Sequence, residues 1–317
     1  MVAGLAKLCL LIVLSATAVS AGWRPKQAPQ KLAGGQGHYF MNPRWSPRSD
    51  QIAFAEMHYR GLWIINADGS GMEQLSDEAA AGFGFQWSPD GHAIIARVAK
   101  YEDKYRYNAV KLFDLASRQA RLLTDYRTLM PGLPQWADGN QKVFINNRGT
   151  LEIFSTGLPA PASAPSATAE AICFLHNGKI ATGSLPTGSY KTLEPVAQQQ
   201  YLNLVLSPSR QKVAFEVKGG HLHTMNLDGS DLQDLGPGQR PQWSPDGRYV
   251  VYMIAKDDGH EFAGSDLHIA SADGKEKAQL TDTRDRLEMD PSWGPDNRLV
   301  FDSYDEGALY ILDLNNE

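Results

Sequence analysis

Two stretches of the sequence concentrate residue types that recognise partners. The stretch "AKYEDKYRYN" interleaves tyrosines with lysines and an arginine, and "AKDDGHEFAGSD" is rich in acidic residues. Tyrosine and arginine are enriched at binding hot spots. A solvated hairpin tip is the alternative interpretation of each stretch alone. The candidate binding residues in these two stretches are Tyr101, Tyr105, Arg106, Tyr107, Asp257, Asp258, His260 and Glu261, with Phe262 beside them.

The other chemistry-bearing residues give weaker signals. His221 and His223 alternate along a strand-like segment and would share one face, so they could ligate a metal. A half-exposed strand is the alternative, and no third ligand is close in sequence. The chain has no His-Glu-x-x-His, Gly-x-Ser-x-Gly, phosphate-binding glycine loop or paired-cysteine motif. We therefore predict no catalytic residue, no metal and no cofactor, and a buried, inert Cys173 in "AICFL".

The N-terminus has the pattern of a secretory signal peptide. In "MVAGLAKLCLLIVLSATAVSAG" one basic residue precedes an apolar run and then small residues, which predicts cleavage after Ala21. A buried N-terminal helix is the alternative. Residues 22–317 would then be a periplasmic or secreted domain, and no second apolar segment is long enough to span a membrane. The net charge of −6 argues against a nucleic-acid surface.

A repeated motif organises the rest of the chain. "QWSPDG" occurs twice, and related copies recur roughly every 40 residues. A degenerate copy, "LHNGKIATGS" at Leu175, fills the longest gap, and Leu206 opens another copy. The remaining copies begin at the tryptophans that we interpret as structural anchors: Trp45, Trp87, Trp136, Trp243 and Trp293.

Each copy predicts the same succession of strands. Ser-Pro-Asp-Gly forms a tight turn, because proline presets φ at one position and glycine accepts a positive φ at another. A β-branched and aromatic strand follows, then a second strand that ends in an Asp-Gly hairpin signal, and finally a short outer strand. Four short antiparallel strands repeated in this way predict an all-β protein, a single β-propeller with tryptophans packed between its blades.

Seven anchors predict seven blades, with six as the alternative if the Pro/Ala/Ser-rich segment around residues 157–169 is an insertion. The last repeat ends in "GALYILDLNN" without an outer strand. We expect "APQKLAGGQG", residues 28–37, to supply that strand, so that the two ends of the chain complete one sheet and close the ring. The second-to-third-strand loops and the blade connections would gather on one face, which adds Arg127, Arg284, Asp285 and Asp305 to the candidate binding face.

"WSPDG" followed by an apolar strand and then "NADGSGMEQLSD" or "NLDGSDLQDL" resembles the repeat of TolB-type, WD-like propellers over roughly residues 30–317. The resemblance implies a propeller fold and an envelope role, and it is unspecific for activity. Full TolB proteins carry an α/β domain before the propeller, for which residues 22–29 leave no room, so we expect that domain to be absent. Participation in a Tol–Pal system is left open.

Three functional classes remain. A monomeric propeller that binds or scaffolds a protein or glycan of the cell envelope is the first. A carbohydrate-active enzyme, a lyase or glycosidase with carboxylates in the funnel, is the alternative. A small-molecule sensor is the third. Convergent, buried, pKa-perturbed groups at the channel mouth would favour an enzyme, and an open aromatic rim would favour a binding partner.

Overall fold

The computed structural model of the protein describes residues 19–20, 22–35, 37–48, 50–137, 139–160, 170–185, 188–257 and 262–316. These residues form seven largely antiparallel sheets, which are the blades of a β-propeller. The helical content of the described residues is two short 3-10 turns at Met57–Tyr59 and Pro295–Asn297. The predicted all-β, seven-bladed propeller is confirmed.

Blades 1, 2 and 5 have four strands each, which follow one another from the channel outwards. The strands of blade 1 are Phe40–Trp45, Gln51–Glu56, Arg60–Asn66 and Glu73–Ser76. Those of blade 2 are Gln86–Trp87, Ala93–Glu102, Tyr105–Asp114 and Gln119–Leu122. Those of blade 5 are Tyr201–Leu206, Lys212–Val217, His221–Asn226 and Gln233–Pro237.

Blades 3 and 4 have three described strands each. Those of blade 3 are Gln135–Ala137, Lys142–Asn147 and Thr150–Ser155. Those of blade 4 are Glu170–His176, Lys179–Leu185 and Tyr190–Leu193. Residues 161–169, between these two sheets, are outside the described residues, so the interpretation of this stretch as a loop or a frayed strand stays a prediction.

The N-terminal segment adds strands to blades 6 and 7. Blade 6 consists of Gln239–Trp243, Tyr249–Asp257, Phe262–Ser271 and Glu276–Gln279, and Val19–Ser20 runs parallel to its outer strand. Blade 7 consists of Glu288–Trp293, Arg298–Ser303 and Ala308–Asn316, and Trp23–Pro25 and Gln30–Gly34 both pair with its last strand. The predicted closure of the ring by the two ends of the chain is confirmed.

Local hydrogen bonds stabilise the Ser-Pro-Asp-Gly turns. The Ser88 hydroxyl donates to Asp90 Oδ1 over 2.6 Å and accepts the Ala93 N–H over 2.9 Å, and Gly91 takes a φ of +74°. Ser244 and Asp246 repeat this arrangement. These turns join the first and second strands and define the lower face of the ring. The turns between second and third strands, such as Met57–Tyr59, therefore define the upper face.

The tryptophan anchors lie between neighbouring blades. Trp45, Trp136, Trp243 and Trp293 are 5–7% exposed, and Trp87 is half-buried. The indole N–H of Trp243 donates to the Val205 carbonyl oxygen of blade 5 over 3.0 Å, so the ring bonds as well as packs across the interface. Seven hydrophobic clusters of buried residues alternate with the blades around the ring.

Blade 4 departs from the predicted repeat. We expected Leu175 to end an innermost strand, as the anchor tryptophans do. The strand Glu170–His176 instead starts at the lower face, where Arg210 of blade 5 donates to the Ala171 carbonyl oxygen over 2.7 Å. It then runs to an upper-face turn at Gly178. The strand thus has the direction of a second strand, because the Asn-Gly pair after Leu175 makes a second-to-third-strand hairpin rather than a lower-face turn.

Candidate functional site

The innermost strands of four consecutive blades share an irregularity. In blades 5, 6, 7 and 1 the pairing with the second strand shifts register between the residue four positions before the anchor and the residue one position before it. The residue three before the anchor adopts a left-handed conformation there, with φ between 46° and 56°. Asparagine and aspartate tolerate this conformation better than other non-glycine residues. The four residues are Asn203, Arg240, Asp290 and Asn42.

Two acidic side chains on second strands stabilise these bulges across blade interfaces. Asp302 of blade 7 accepts the backbone N–H of Asn42 in blade 1 over 3.1 Å. Glu216 of blade 5 accepts the backbone N–H of Arg240 in blade 6 in the same manner, and also the side-chain amide of Asn203 over 2.8 Å. Each carboxyl group therefore joins one blade to the next at the channel wall.

The charged groups of the four blades converge on the channel. Arg240 Nη1 of blade 6 lies 3.5 Å from Asp290 Oδ1 of blade 7. Arg44 Nη1 of blade 1 donates to the Asp290 carbonyl oxygen over 3.4 Å. We call these residues the channel cluster: Arg44, Glu216, Arg240, Asp290 and Asp302.

Burial dominates the electrostatics of the channel cluster. Asp302 is 2% exposed, and burial, followed by the charge of Asp290, raises its pKa well above the ordinary value. Burial also raises the pKa of Glu216 and lowers that of Arg44. Burial alone would lower the pKa of Arg240, but Asp290 and other neighbours raise it. Because three carboxyl groups face two guanidinium groups, burial favours keeping at least one acid neutral.

Tyr59 covers the channel cluster from the upper face. It belongs to the 3-10 turn of blade 1, where His58 and Tyr59 both have positive φ. Its side chain lies close enough to Arg240 to raise the pKa of that guanidinium group. Blades 1 and 6 are separated by blade 7, so this interaction joins two blades that are not neighbours.

Aromatic rings line the mouth on the same side of the ring. Phe262, Tyr304 and Tyr39 come from blade 6, blade 7 and the connection to blade 1, with ring centroids 5.5 and 6.2 Å apart. Tyr59 and Phe83 form a second pair at 5.0 Å. The exposed fractions of Tyr304, Phe262 and Phe83 are 46%, 39% and 39%. Burial, then Tyr304, raises the pKa of Tyr39 to about 12. We call these five residues the aromatic rim.

The first predicted binding stretch forms the end of a long hairpin in blade 2. Its two strands have ten residues each, against six in the second strand of blade 1, and the turn is Asp103–Lys104. Four extra residues extend a strand by about 13 Å. Tyr101 and Tyr105 are 63% and 65% exposed.

The neighbours of these tyrosines are partly buried or form polar contacts with other side chains. Arg106 is exposed, and its Nε donates to Asn108 Oδ1 over 3.0 Å. Tyr107 is half-buried. Arg127 forms an ion pair with Glu152 of blade 3 at 2.8 Å. The structure therefore brings the blade 2 residues together at one edge of the upper face, with Arg127 at the base of the hairpin.

The second predicted stretch lies at the equivalent hairpin of blade 6. Asp258, His260 and Glu261 are outside the described residues, and for Asp257 only the strand is described. Phe262 joins the aromatic rim. The assignment of the acidic residues to the binding face stays a prediction.

The remaining predicted rim residues lie around the connection into blade 7. Arg284 and Asp285 are exposed there. The carboxyl group of Asp305 already has hydrogen-bond donors, because it accepts the Leu287 N–H over 3.0 Å and the Ser303 hydroxyl over 2.8 Å. Burial alone would raise the pKa of Asp305, but these hydrogen bonds lower it.

His221 and His223 have different surroundings. The pairing with the outer strand shifts register after Leu222, with Leu235 as the extra residue of the outer strand. His221 is exposed and lies 2.9 Å from Asp234, while His223 is buried and stacks on Phe215 at 5.5 Å. Within the described residues no group of three His, Cys, Asp or Glu side chains could hold a metal ion. Cys173 is 6% exposed, and burial raises its pKa to about 12.

The sequence analysis missed the channel cluster and Tyr59. A signal for two members, Arg240 and Asp290, was present: a polar residue three positions before an anchor, as in "RPQW" and "DPSW". Glu216 and Asp302 had no comparable signal, because each looks like an ordinary acidic residue late in a strand.

No helix of the described residues is long and apolar enough to cross a membrane.

Comparisons with known proteins point to the fold. No protein-family model matches the sequence, and no curated protein matches it. A crystal structure of TolB from Acinetobacter baumannii is similar, with a TM-score of 0.52 and 17% identity, over 80% of this chain and 56% of that one. The chain thus spans little more than half the length of that TolB.

Two other solved structures match over more of their length. A chain of a mitotic checkpoint complex has a TM-score of 0.61 and 16% identity, over 99% of this chain and 96% of that one. The β-propeller domain of Cps50 (Swd1) from Myceliophteria thermophila has a TM-score of 0.59 and 13% identity, over 90% and 99%. At these identities the likeness concerns the fold alone. The chain is a seven-bladed β-propeller whose fold resembles that of TolB and of WD-like propellers.

Proposed function

We propose that the protein is an exported binding propeller of the cell envelope, and that its upper face holds a protein partner over the channel mouth. One observation carries this proposal: the aromatic rim, with three exposed rings and two half-buried ones, extends over the upper face from the blade 6 hairpin to the connection into blade 2. Aromatic residues are enriched in the cores of protein interfaces. Export rests on the signal-peptide pattern of residues 1–21.

The channel cluster is compatible with binding. Asp302 and Glu216 have the raised pKa values that catalytic acids also show. Each of them, however, accepts a backbone N–H of the neighbouring blade. A carboxyl group that holds the wall of the channel has a structural task, so we favour binding over a lyase or glycosidase reaction.

The test is capture of envelope components by immobilised protein comprising residues 22–317. The triple variant Tyr105→Ala, Arg106→Ala, Tyr107→Ala removes the hairpin end without touching the blade cores. Hot-spot residues cost 2 kcal/mol or more when truncated, so we expect binding to weaken about 30-fold or more.

The matched control is the double variant Arg248→Ala, Lys275→Ala on the lower face. These side chains are 72% and 80% exposed and form ion pairs with Asp246 and Asp273 of their own turns, and Arg248 also lies 5.9 Å from the ring of the adjacent Tyr249. The control should bind as the wild type does. Equal capture by the wild type, the triple variant and the control would contradict the assignment of the upper hairpin. If the captured material is a glycan and not a protein, the proposal of a protein partner is wrong and the partner is a glycan.

Enzymatic activity is the second candidate, favoured by the buried acids of the channel cluster. Release of reducing or unsaturated sugars from envelope polysaccharides by the wild type, abolished by Asp302→Asn, would support it over a binding role.

A further inference from the structure

The connection between blades 6 and 7 is fastened by a buried glutamate. Residues 281–287 run along the upper face, and Arg284 and Asp285 are exposed on it. Glu288, the first residue of the innermost strand of blade 7, is 0% exposed. Its side chain lies under this segment, which we call the rim segment.

Two threonines of the rim segment contact the Glu288 carboxyl group. The Thr281 hydroxyl donates to Oε2, and it accepts the Leu267 N–H of blade 6 over 2.8 Å. Thr283 Oγ1 lies 3.1 Å from Glu288 Oε1 and 3.3 Å from the carbonyl oxygen of Arg286.

The number of hydrogen-bond donors around the Glu288 carboxyl group favours its neutral form. The Thr283 hydroxyl has one hydrogen and faces two oxygen atoms, those of Glu288 and Arg286. If Glu288 is ionised, one of these oxygens receives no hydrogen bond from Thr283, which costs up to about 1–3 kcal/mol at this part-buried place. If Glu288 is protonated, it donates to Thr283, which donates to the Arg286 carbonyl. Every group in the chain then has its partner.

The charged neighbours do not compensate an ionised Glu288. Asp266, on the third strand of blade 6, raises the pKa of Glu288, whereas Arg286 lowers it. The Arg286 guanidinium is engaged elsewhere, with Glu306 at 3.3 Å and the Tyr310 ring at 4.0 Å. No basic side chain of the described residues forms an ion pair with Glu288.

The other acids around the rim segment also have partners of their own. Asp305 accepts the Leu287 N–H, and Asp266 accepts the Thr283 N–H over 3.1 Å. Asp282 and Asp285 are exposed to solvent. Burial, the largest influence, raises the pKa of Glu288 to about 7.

We propose that Glu288 is a proton-operated latch: its neutral form holds the rim segment closed, and its ionisation releases Thr283 and the Arg286 carbonyl. Control of partner binding by this latch rests on the proposed function of the upper face. The latch itself can be measured without any partner, so its failure and the failure of the proposed function are separable.

The experiment is hydrogen exchange of the rim-segment amides in protein comprising residues 22–317, between pH 5.5 and pH 9, corrected for the intrinsic exchange rate. In the wild type, protection of these amides should fall by up to about tenfold per pH unit from pH 5.5 to about pH 7, and it should level off at higher pH, because Glu288 is then ionised in the closed form as well. The amides of Leu299–Phe301, in the core of blade 7, should keep their protection and serve as the internal control. Constant protection of the rim segment across this range would overturn the latch.

Two variants identify the group. Glu288→Gln keeps a donor for Thr283 and an acceptor for Thr281, so the rim segment should stay protected at every pH. The same pH-dependent loss in Glu288→Gln would assign the effect to another group and overturn the proposal. Thr283→Val removes the central hydroxyl, and it should lower the protection of the rim segment even at pH 5.5; unchanged protection would contradict the hydrogen-bond chain.

If Glu288→Gln does not fold, a measurement on the wild type can still test whether Glu288 is protonated. Glutamate-selective carboxyl carbon NMR should show a buried acid that stays protonated at pH 6. Replacing Glu216, the other buried glutamate of the described residues, with Gln assigns the signal. Absence of such a signal would exclude the neutral Glu288.

Discussion

Replacing Asp302 and Asp290 separately by asparagine should have opposite consequences, although both side chains lie in the channel cluster. Asp302 is 2% exposed, and burial, followed by the charge of Asp290, raises its pKa well above the ordinary value, which favours the neutral acid. Asparagine has the same shape and keeps an acceptor for the Asn42 N–H. Asp302→Asn should therefore cost less than about 1 kcal/mol of unfolding free energy at pH 7.

Asp290→Asn should be far more costly. Asp290 is 5% exposed and faces Arg240 across 3.5 Å, so its removal leaves the half-buried Arg240 and Arg44 short of a counter-charge. Breaking a buried pair by removing one partner costs about 3–5 kcal/mol, and we expect a cost towards the lower end of that range because the Arg240 side chain is 33% exposed. The assay is urea unfolding followed by tryptophan fluorescence at pH 5, 7 and 9.

The pH dependence provides the sharper test. The folded-state pKa of Asp302 lies above its unfolded value, so its contribution to stability is complete below the unfolded pKa and disappears as pH rises through the folded pKa. Asp302→Asn should therefore gain on the wild type as pH increases. A cost of about 3 kcal/mol at pH 7, unchanged at pH 9, would mean that Asp302 is ionised and paired with Arg44, and the reasoning would be wrong.

Three further predictions concern the packing of Trp243, the ionisation of Glu288 and the cleavage of the N-terminal segment. Trp243→Ala should lower the unfolding free energy by about 3–5 kcal/mol in the same urea assay, because the ring is 7% exposed and bonded to blade 5, and a loss below about 1 kcal/mol would contradict inter-blade packing. The wild type should lose about 3 kcal/mol between about pH 4.5 and pH 7 through Glu288, whose pKa rises from 4.5 to about 7, and Glu288→Gln should remove that slope. N-terminal sequencing of exported protein should begin near Gly22, and a retained Met1 would exclude cleavage.

Most of the fold could be predicted because its signals are local. The Ser-Pro-Asp-Gly turn and the Asp-Gly hairpin each lie within a few residues, and their repetition predicts the number of blades. The closing strand could be predicted because the last repeat lacked one. Blade 4 could not be assigned correctly, since an Asn-Gly pair fits a turn at either end of a strand, and no tryptophan fixes the register there.

Trp23 shows a different limit. It lies outside every repeat, yet it is 6% exposed and packs edge-to-face on Tyr249 and Trp293, at 5.5 and 5.3 Å. Its position depends on the N-terminal segment crossing from blade 7 towards blade 6. Such a contact between distant segments has no local signature.

The candidate site was predictable in its protruding parts and not in its buried ones. The blade 2 hairpin is visible as a tyrosine-rich insertion in a regular repeat. The channel cluster combines side chains of four blades, and their convergence appears only once the ring is closed. Arg44 and Asp290 are 246 residues apart in the chain and still lie within hydrogen-bond distance.

The distribution of polar residues around the ring makes the channel one-sided. Blades 5, 6, 7 and 1 place Asn203, Arg240, Asp290 and Asn42 three residues before the anchor, whereas blades 2 and 3 place Gly84 and Leu133 there. The aromatic rim extends over blades 6, 7 and 1 and the connection to blade 2. A ring of equal blades would present the same surface in every direction. In this ring, charge below and aromatic rings above coincide on one sector, so a partner held over the channel mouth should contact blades 6, 7 and 1 in addition to the blade 2 hairpin.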